Sequence, residues 1–521
     1  MLDPNYLLTD EQMAEFITKG YLVLRNDLPQ ELHENVMSII YNVLHEEGNP
    51  GNNILPRVPD IQQFFDTPVV RGALTSVLGA DYYMHPHRHC HYNQPGNQSP
   101  GGGQWHKDGY WSSMRSHRPW WAMIFYYTQD VTEALGPTAI MPGTQYYEKF
   151  LGDRGKTILP TGKAGTMVLV HFDLWHKASL NVSNLDRYML KFQFVRMRAP
   201  EAPSWNHTAK EMIIPEDVST LHRNLWRDVW DWLRGEETAA AGSGEAVDEA
   251  LLRQWAAGLA SDDVSERGRA ADELGLLGEA AAGYASALGR LLGDPEESVA
   301  LNASYALGHL GAIGVDELLG HLANGSNLVA LRAAYGLQGG GTKAVPGLIA
   351  ALGLADERRR ALAAFTLGML GSSAKGSVPS LIAVLRDQSA WVRRNAVEAL
   401  GMIGQPAESV VPALAAALAD SLRDESAGAA RTNDSYVINQ EYIANKIGYT
   451  AALSLLRTGK DGDPEIVVDA LRQALGSKDR YVRAYASEAL THLRTPEAID
   501  VLIRFYRSSR WCPDTHKAST F

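Results

Sequence analysis

The pattern of hydrophobic and polar positions changes character part-way along the chain. Up to about Val195, short runs rich in β-branched and aromatic residues alternate with turn signals, as in GYLVL (20–24), WWAMIFYY (120–127) and GTMVLVHF (165–172). That pattern predicts a largely β domain with a few helices. Thr9-Asp10-Glu11-Gln12 has capping-box spacing, so a helix is expected to begin there, ahead of the first strand. The Trp-rich stretch LHRNLWRDVWDWLRG (221–235) reads as one more helix, with Trp226 and Trp230 on one face as an interdomain packing element. The Ala/Gly/Ser/Glu-rich text after it reads as a linker.

Beyond the linker the chain turns to Ala, Leu and Gly and repeats itself about every 30 residues. RAADELGLLG (269–278), NASYALGHLG (302–311), RAAYGLQGGG (332–341), LAAFTLGMLG (362–371), NAVEALGMIG (395–404) and YASEALTHL (485–493) align on Leu274, Leu307, Leu337, Leu367, Leu400 and Leu490. A degenerate copy lies around Ala452 and Leu453, after an insertion near 420–440. Each copy has an Ala-rich helix, a Gly break and a second helix such as VPGLIAAL, the signature of an α-solenoid whose helix pairs bury their faces on their neighbours. The text resembles short HEAT repeats, about seven of them, which implies a scaffold or binding surface for a protein partner. The expected division is a first domain over 1–235, a linker over 236–250, the solenoid over 251–510 and a tail over 511–521.

Composition narrows the function classes. At 521 residues and 45% hydrophobic content the chain can bury sizeable cores. Its formal charge of -12, most of it in the first 250 residues, argues against a nucleic-acid surface. Cys90 and Cys512, the two cysteines, allow neither a disulfide framework nor a Cys-based zinc site. No signal-peptide pattern and no long apolar run stands in the text, so a cytoplasmic protein without a membrane role is expected.

Four residues carry the chemistry: His106 and Asp108 in GGGQWHKDGYW, His176 in HFDLWHKASLN and Arg187 in SNLDRYMLKF. On a strand, residues two apart share a face, so His106 and Asp108 can offer an imidazole and a carboxylate to one ion. A distant His completes a two-His, one-carboxylate set, which leaves positions open and suits non-haem Fe(II). If residues 181–184 turn a hairpin, His176 and Arg187 lie nearly opposite on paired strands. Arg187 could then hold the far carboxylate of a dicarboxylic acid in a two-pronged pair.

With LTDEQMAEFITKGYLVL, the HKD triplet, DVTEALGPTAIMPGTQ (130–145) and LWHKASLN followed by an Arg eleven residues after its His, residues 7–198 resemble the phytanoyl-CoA dioxygenase family of Fe(II)- and 2-oxoglutarate-dependent oxygenases. The resemblance implies a double-stranded β-helix (jelly-roll) domain with flanking helices, in which His106, Asp108 and His176 bind iron and Arg187 binds 2-oxoglutarate, with O2 as the second cosubstrate. Members often have a Ser two residues after the distal His; here Ala178 holds that place and Ser179 follows as the candidate cosubstrate helper. Retention of Asp108 favours hydroxylation over halogenation.

Other features have blander readings. His171-Phe172-Asp173 is a second HxD triplet, read as strand residues near the site. His85, His87, His89 and His91 alternate, so a strand puts four imidazoles on one face; a pocket-lining strand is favoured over a second metal site, with His91 a candidate for touching substrate. Trp111 and Arg115, in WSSMRSHRPWW, are further substrate candidates for an anionic or amphiphilic small molecule. The expected function is hydroxylation of a small molecule with decarboxylation of 2-oxoglutarate to succinate and CO2. The alternatives are a HEAT scaffold with a non-catalytic oxygenase-like domain, or a protein hydroxylase whose solenoid recruits the substrate.

Overall fold

The computed structural model describes residues 3–109, 114–150, 152, 156–218, 222–236, 248–426 and 443–508. Its described residues form two compact units, one drawn mainly from residues 3–218 and one from 222–508.

In the first unit, the capping box forms as expected. Thr9 caps the helix Asp10–Lys19, and Gly20 closes it with a φ of 80°, a conformation that a side chain would strain. The chain then enters β1 (Tyr21–Arg25), followed by β2 (Tyr83–Asn93), β3 (Trp121–Tyr127), β4 (Ala139–Ile140), β5 (Thr166–His171), β6 (His176–Lys177) and β7 (Arg187–Val195). The main sheet has the order β1-β5-β3-β7-β2, antiparallel throughout, and β4 pairs with β6 in a two-stranded sheet. This is the β architecture expected of the jelly-roll reading, with helices flanking it.

Strand alternation separates the two faces of the main sheet. On one face Phe192 stacks on Phe65 and Tyr126 on Phe64, while the Tyr126 hydroxyl meets His33 Nε2 at 2.8 Å. The helices Gln30–Asn42 and Ile61–Phe65 thus cover that face with aromatic rings. The opposite face carries His89 and Asn93 of β2 opposite Lys191 and Arg187 of β7, with Phe125 of β3 also opposite Lys191. One face is sealed by packing; the other is lined with polar and charged groups.

The link from β6 to β7 differs from the hairpin geometry considered from the sequence. Asn181 does hold a turn there, donating to Asn93 O and Leu185 O and accepting from Ser183. Yet β6 pairs with β4 and β7 pairs with β2 and β3, so His176 and Arg187 lie on different sheets. The turn is a crossing between sheets, held by its bond to the end of β2.

The second unit begins with the Trp-rich helix, Arg223–Leu233. Counted from sequence with the first domain, this helix groups instead with the repeats, because its polar face is built into them. Arg223 pairs with Asp272, Asn224 Nδ2 donates to Asp272 O, His309 Nδ1 donates to Asn224 Oδ1 and His222 meets Asn302. Trp226 and Trp230 are both 1% exposed. The linker residues 237–247 and the tail 509–521 lie outside the described residues.

Seven Ala-rich helices then stack in order: Val264–Leu276, Glu297–His309, Asn327–Gly339, Glu357–Met369, Ala390–Ile403, Lys446–Thr458 and Arg480–Leu493. All six aligned leucines are fully buried, each contributing roughly 1.5–3 kcal/mol. Close approach of successive helices requires the glycines beside them: a Cβ on Gly308 would run into Gly336 O. Arginines lace the turns. Arg267 pairs with Asp294 and Arg360 with Asp387, and Arg393 and Arg483 donate to carbonyls of the turns before their helices. Arg480 lies over the Tyr481 ring.

Of the insertion expected near 420–440, residues 420–426 belong to the helix Ala407–Ser426 and the rest lies outside the described residues, and the described residues on either side are bolted together. Glu425 accepts from Asn445 Nδ2 and Ser477 Oγ, while Asp479 accepts from the Ala444 and Asn445 amides. The helix Ala390–Ile403 therefore packs directly on Lys446–Thr458.

Candidate metal centre

His106 and His176 face each other across an isolated antiparallel bridge, with mutual N–H to O bonds of 3.0 and 3.1 Å. Each ring is oriented by its own backbone: His106 Nδ1 donates to Gln104 O at 2.8 Å, and His176 Nδ1 donates to Leu174 O at 2.9 Å. These bonds fix the tautomer that leaves Nε2 unprotonated, the arrangement in which imidazole binds a metal, and in His176 that nitrogen meets Lys191 Nζ at 3.3 Å. Asp108, two residues after His106, brings its Oδ1 to 4.0 Å from His176 Nε2. One ligand atom from each of the three lies within 4.8 Å of the others, and no other group of three or more such residues occurs among the described residues.

The donor set fits a divalent transition metal such as iron. Burial pushes His176 down to about 3, reinforced by the nearby Lys191 charge, so the ring is neutral and ligand-competent at any ordinary pH. Enclosure alone would raise the Asp108 carboxyl, but the Lys191 ammonium and the two histidines hold it well below the usual carboxylate range. Asp108 is thus an anion, with Oδ2 engaged by Lys191 Nζ at 2.6 Å and Gln193 Nε2 at 3.3 Å. Two imidazoles and one carboxylate provide three ligands, which leaves further positions for exogenous ones.

Arg187 stands on the same face of β7 as Lys191 and Gln193, by strand parity. It is 2% exposed, its Nε and Nη1 have no hydrogen-bond partner among the described residues, and burial pulls its guanidinium below its ordinary value. A buried planar cation with unmet donors is a receptor for a carboxylate.

Other sequence candidates are placed differently. Ser179 offers its backbone oxygen to Asn93 Nδ2 at 2.9 Å. Arg115, taken as a substrate contact, is instead committed to the scaffold: it pairs with the buried Asp173 at 2.8 Å and also donates to Asp108 O. The second HxD triplet thereby supports the first, since Asp173 holds the arginine that holds the backbone of Asp108. His91 lies on the polar face of β2, opposite Met189 and open to solvent. The alternating histidines meet ring to ring, with His87 and His89 centroids 4.4 Å apart and tilted by 53°, and His85 edge-on to Trp121. Trp111 lies outside the described residues. Lys191 and Gln193 escaped the sequence reading, although their even spacing from Arg187 on a strand was the available signal.

Residues 43–189 match the model of the phytanoyl-CoA dioxygenase (PhyH) family, and residues 345–432 match that of HEAT repeats. The chain joins a PhyH domain to HEAT repeats. The PhyH match falls mainly within the first unit, and the described part of the HEAT match lies inside the helical stack. Similar solved structures include a nickel complex of the non-heme monooxygenase ThoJ (15% identity, 42% of this chain and 94% of that one, TM-score 0.29). EctD from S. alaskensis with 2-oxoglutarate and 5-hydroxyectoine is another (17%, 40% and 84%, TM-score 0.30). HygX from Streptomyces hygroscopicus with nickel and 2-oxoglutarate is a third (13%, 36% and 87%, TM-score 0.28). No curated protein matches the chain. No helix among the described residues is long and apolar enough to cross a membrane.

Proposed function

We propose that the PhyH domain is a non-haem Fe(II)- and 2-oxoglutarate-dependent dioxygenase that hydroxylates a small molecule. The observation that carries this reading is the convergence of His106, Asp108 and His176, with both imidazoles turned to present Nε2. In this reading those three residues hold the iron and Arg187 takes the C5 carboxylate of 2-oxoglutarate. The bound iron supplies the oxidising chemistry that couples decarboxylation of 2-oxoglutarate to succinate and CO2 with hydroxylation of a C–H bond.

The chain's own contribution is positional. The carbonyls of Gln104 and Leu174 hold the two rings, Lys191 and Gln193 hold one oxygen of Asp108, and Arg115 fixes the backbone between ligands. The packed outer face keeps the sheet from yielding as ligands enter. The HEAT repeats serve as a surface for a protein partner, a reading supported by their stacked architecture.

The test is succinate formation from 2-oxoglutarate with Fe(II) and O2. Wild-type protein should form it, and His176→Ala and Asp108→Ala should abolish it while keeping the wild-type circular dichroism spectrum. Equal succinate formation by the wild type and both variants would sink the reading.

A further inference from the structure

Lys191 brings a full charge to an oxygen of Asp108 that Gln193 also holds. Its ammonium is 2.6 Å from Asp108 Oδ2 and 3.3 Å from His176 Nε2, and 5.9 Å from the Phe125 ring centroid. The residue is 8% exposed, so this charge has left most of its water behind. Arg187, four residues earlier on the same face of β7, is a second buried cation, with two donor nitrogens unmet.

The anions available to these charges are few. Asp108 is the carboxylate in contact with Lys191, while Asp173 is already paired with Arg115. Across β2, the neighbours on this face are His89, His91 and Asn93, none of them anionic. A divalent cation held by Asp108 would add two positive charges to those of Lys191 and Arg187, against the single negative charge of Asp108. 2-Oxoglutarate brings two negative charges. One positive charge still remains unanswered beside the ligands, and an enclosed charge without a partner is costly.

We propose that Lys191 determines substrate specificity by receiving an oxyanion, a carboxylate or a phosphate, carried by the substrate that enters beside 2-oxoglutarate. The inference rests on the reading of the site proposed above and extends it to the class of substrate. Lys191 suits the role because an ammonium is a compact charge on a flexible stem that can turn from Asp108 Oδ2 toward an incoming anion. Gln193 keeps its own bond to that oxygen, so the carboxylate stays oriented.

The test uses full-length protein in excess over Mn(II), saturated with 2-oxoglutarate, with acetate, methyl phosphate and acetamide as probes. Proton relaxation of each probe's methyl group by the bound Mn(II) is measured in the wild type, Lys191→Met and Lys191→Arg. Either anion should be relaxed far more than acetamide in the wild type, weakened on the order of tenfold or more in Lys191→Met and recovered in Lys191→Arg. Which anion responds tells carboxylate from phosphate. Relaxation no greater for both anions than for acetamide, or equal in wild type and Lys191→Met, overturns the proposal. Calorimetric titration of 2-oxoglutarate into the same Mn(II) samples separates the two readings. Failure of 2-oxoglutarate to bind counts against the site reading, whereas normal binding without an anion effect counts against Lys191 alone.

Discussion

The two units of this chain offer arginines that the protein meets to different degrees. In the repeats, Arg267 and Arg360 are each met by an aspartate from a neighbouring turn, and Arg332 donates to Leu292 O and Asp294 O. In the PhyH unit, Arg187 is enclosed with two donor nitrogens unmet, and Lys191 shares one carboxylate oxygen with Gln193. The match is incomplete in the repeats as well, where Arg332 Nε is unmet among the described residues, but Arg332 keeps two carbonyls and Arg267 and Arg360 each keep an ion pair. An array of repeated turns can meet its charges from within. An arginine with two donors unmet and no ion pair among the described residues is what an incoming anion would need.

That contrast breaks most visibly if Arg187→Met harms the fold rather than cosubstrate binding. The expected outcome is a loss of about 3 kcal/mol in 2-oxoglutarate binding, on the order of a hundredfold, read as a raised KM or Kd. The thermal midpoint should not fall, because no hydrogen bond within the protein is lost at Nε or Nη1. A midpoint lowered by several degrees with unchanged 2-oxoglutarate affinity would assign Arg187 to the scaffold.

The next effect belongs to the repeats. Helix propensity alone favours alanine over glycine by about 1 kcal/mol, but a Cβ at Gly308 would meet the Gly336 carbonyl. Gly308→Ala should therefore destabilise the protein by about 2 kcal/mol, within the usual cost of overpacking, measured by urea denaturation. A stabilised variant would mean that the stack is loose enough to yield. Smaller still, Arg360→Met should cost about 1–2 kcal/mol through its two-pronged pair with Asp387. It should leave metal-dependent succinate formation unchanged, the mirror image of Arg187→Met.

The least effect is on pH. Burial pushes His309 down to about 4 from the ordinary histidine value of about 6.5. Between those values the unfolded chain binds the proton and the folded chain does not, so stability is full above 6.5 and falls as pH drops toward 4. From pH 7.5 to 5.5 this residue should contribute a loss of about 1 kcal/mol. His309→Gln should lose correspondingly less over the same range in thermal scans; parallel losses would place the proton elsewhere.

What could be read from the sequence followed the physics of local pattern. The strands at 21–25, 121–127 and 166–171 and the capped helix at 10–19 announce themselves by alternation and by capping chemistry. The aligned leucines mark the repeat core because each one fills the same place in the stack. His106, Asp108 and His176 were legible because metal-ligand spacing constrains residue type, and the structure brings them together. Pairing between strands was less legible. His176 and Arg187 are eleven apart, which suits a hairpin, but only non-local partners send β6 to β4 and β7 to β2 and β3. Arg115 illustrates the same limit: its partner Asp173 is 58 positions away, so local text could not tell a scaffold arginine from a substrate arginine. Lys191 and Gln193 carry no motif, and only their parity with Arg187 relates them to the site.

The clasp of Glu425, Asn445, Ser477 and Asp479 gives the repeat array a point of concentrated dependence. One carboxylate, Glu425, ties the end of Ala407–Ser426 to the start of Lys446–Thr458 and to the turn before Arg480–Leu493. An array built from nearest-neighbour contacts thus carries here a staple that spans more than one interval.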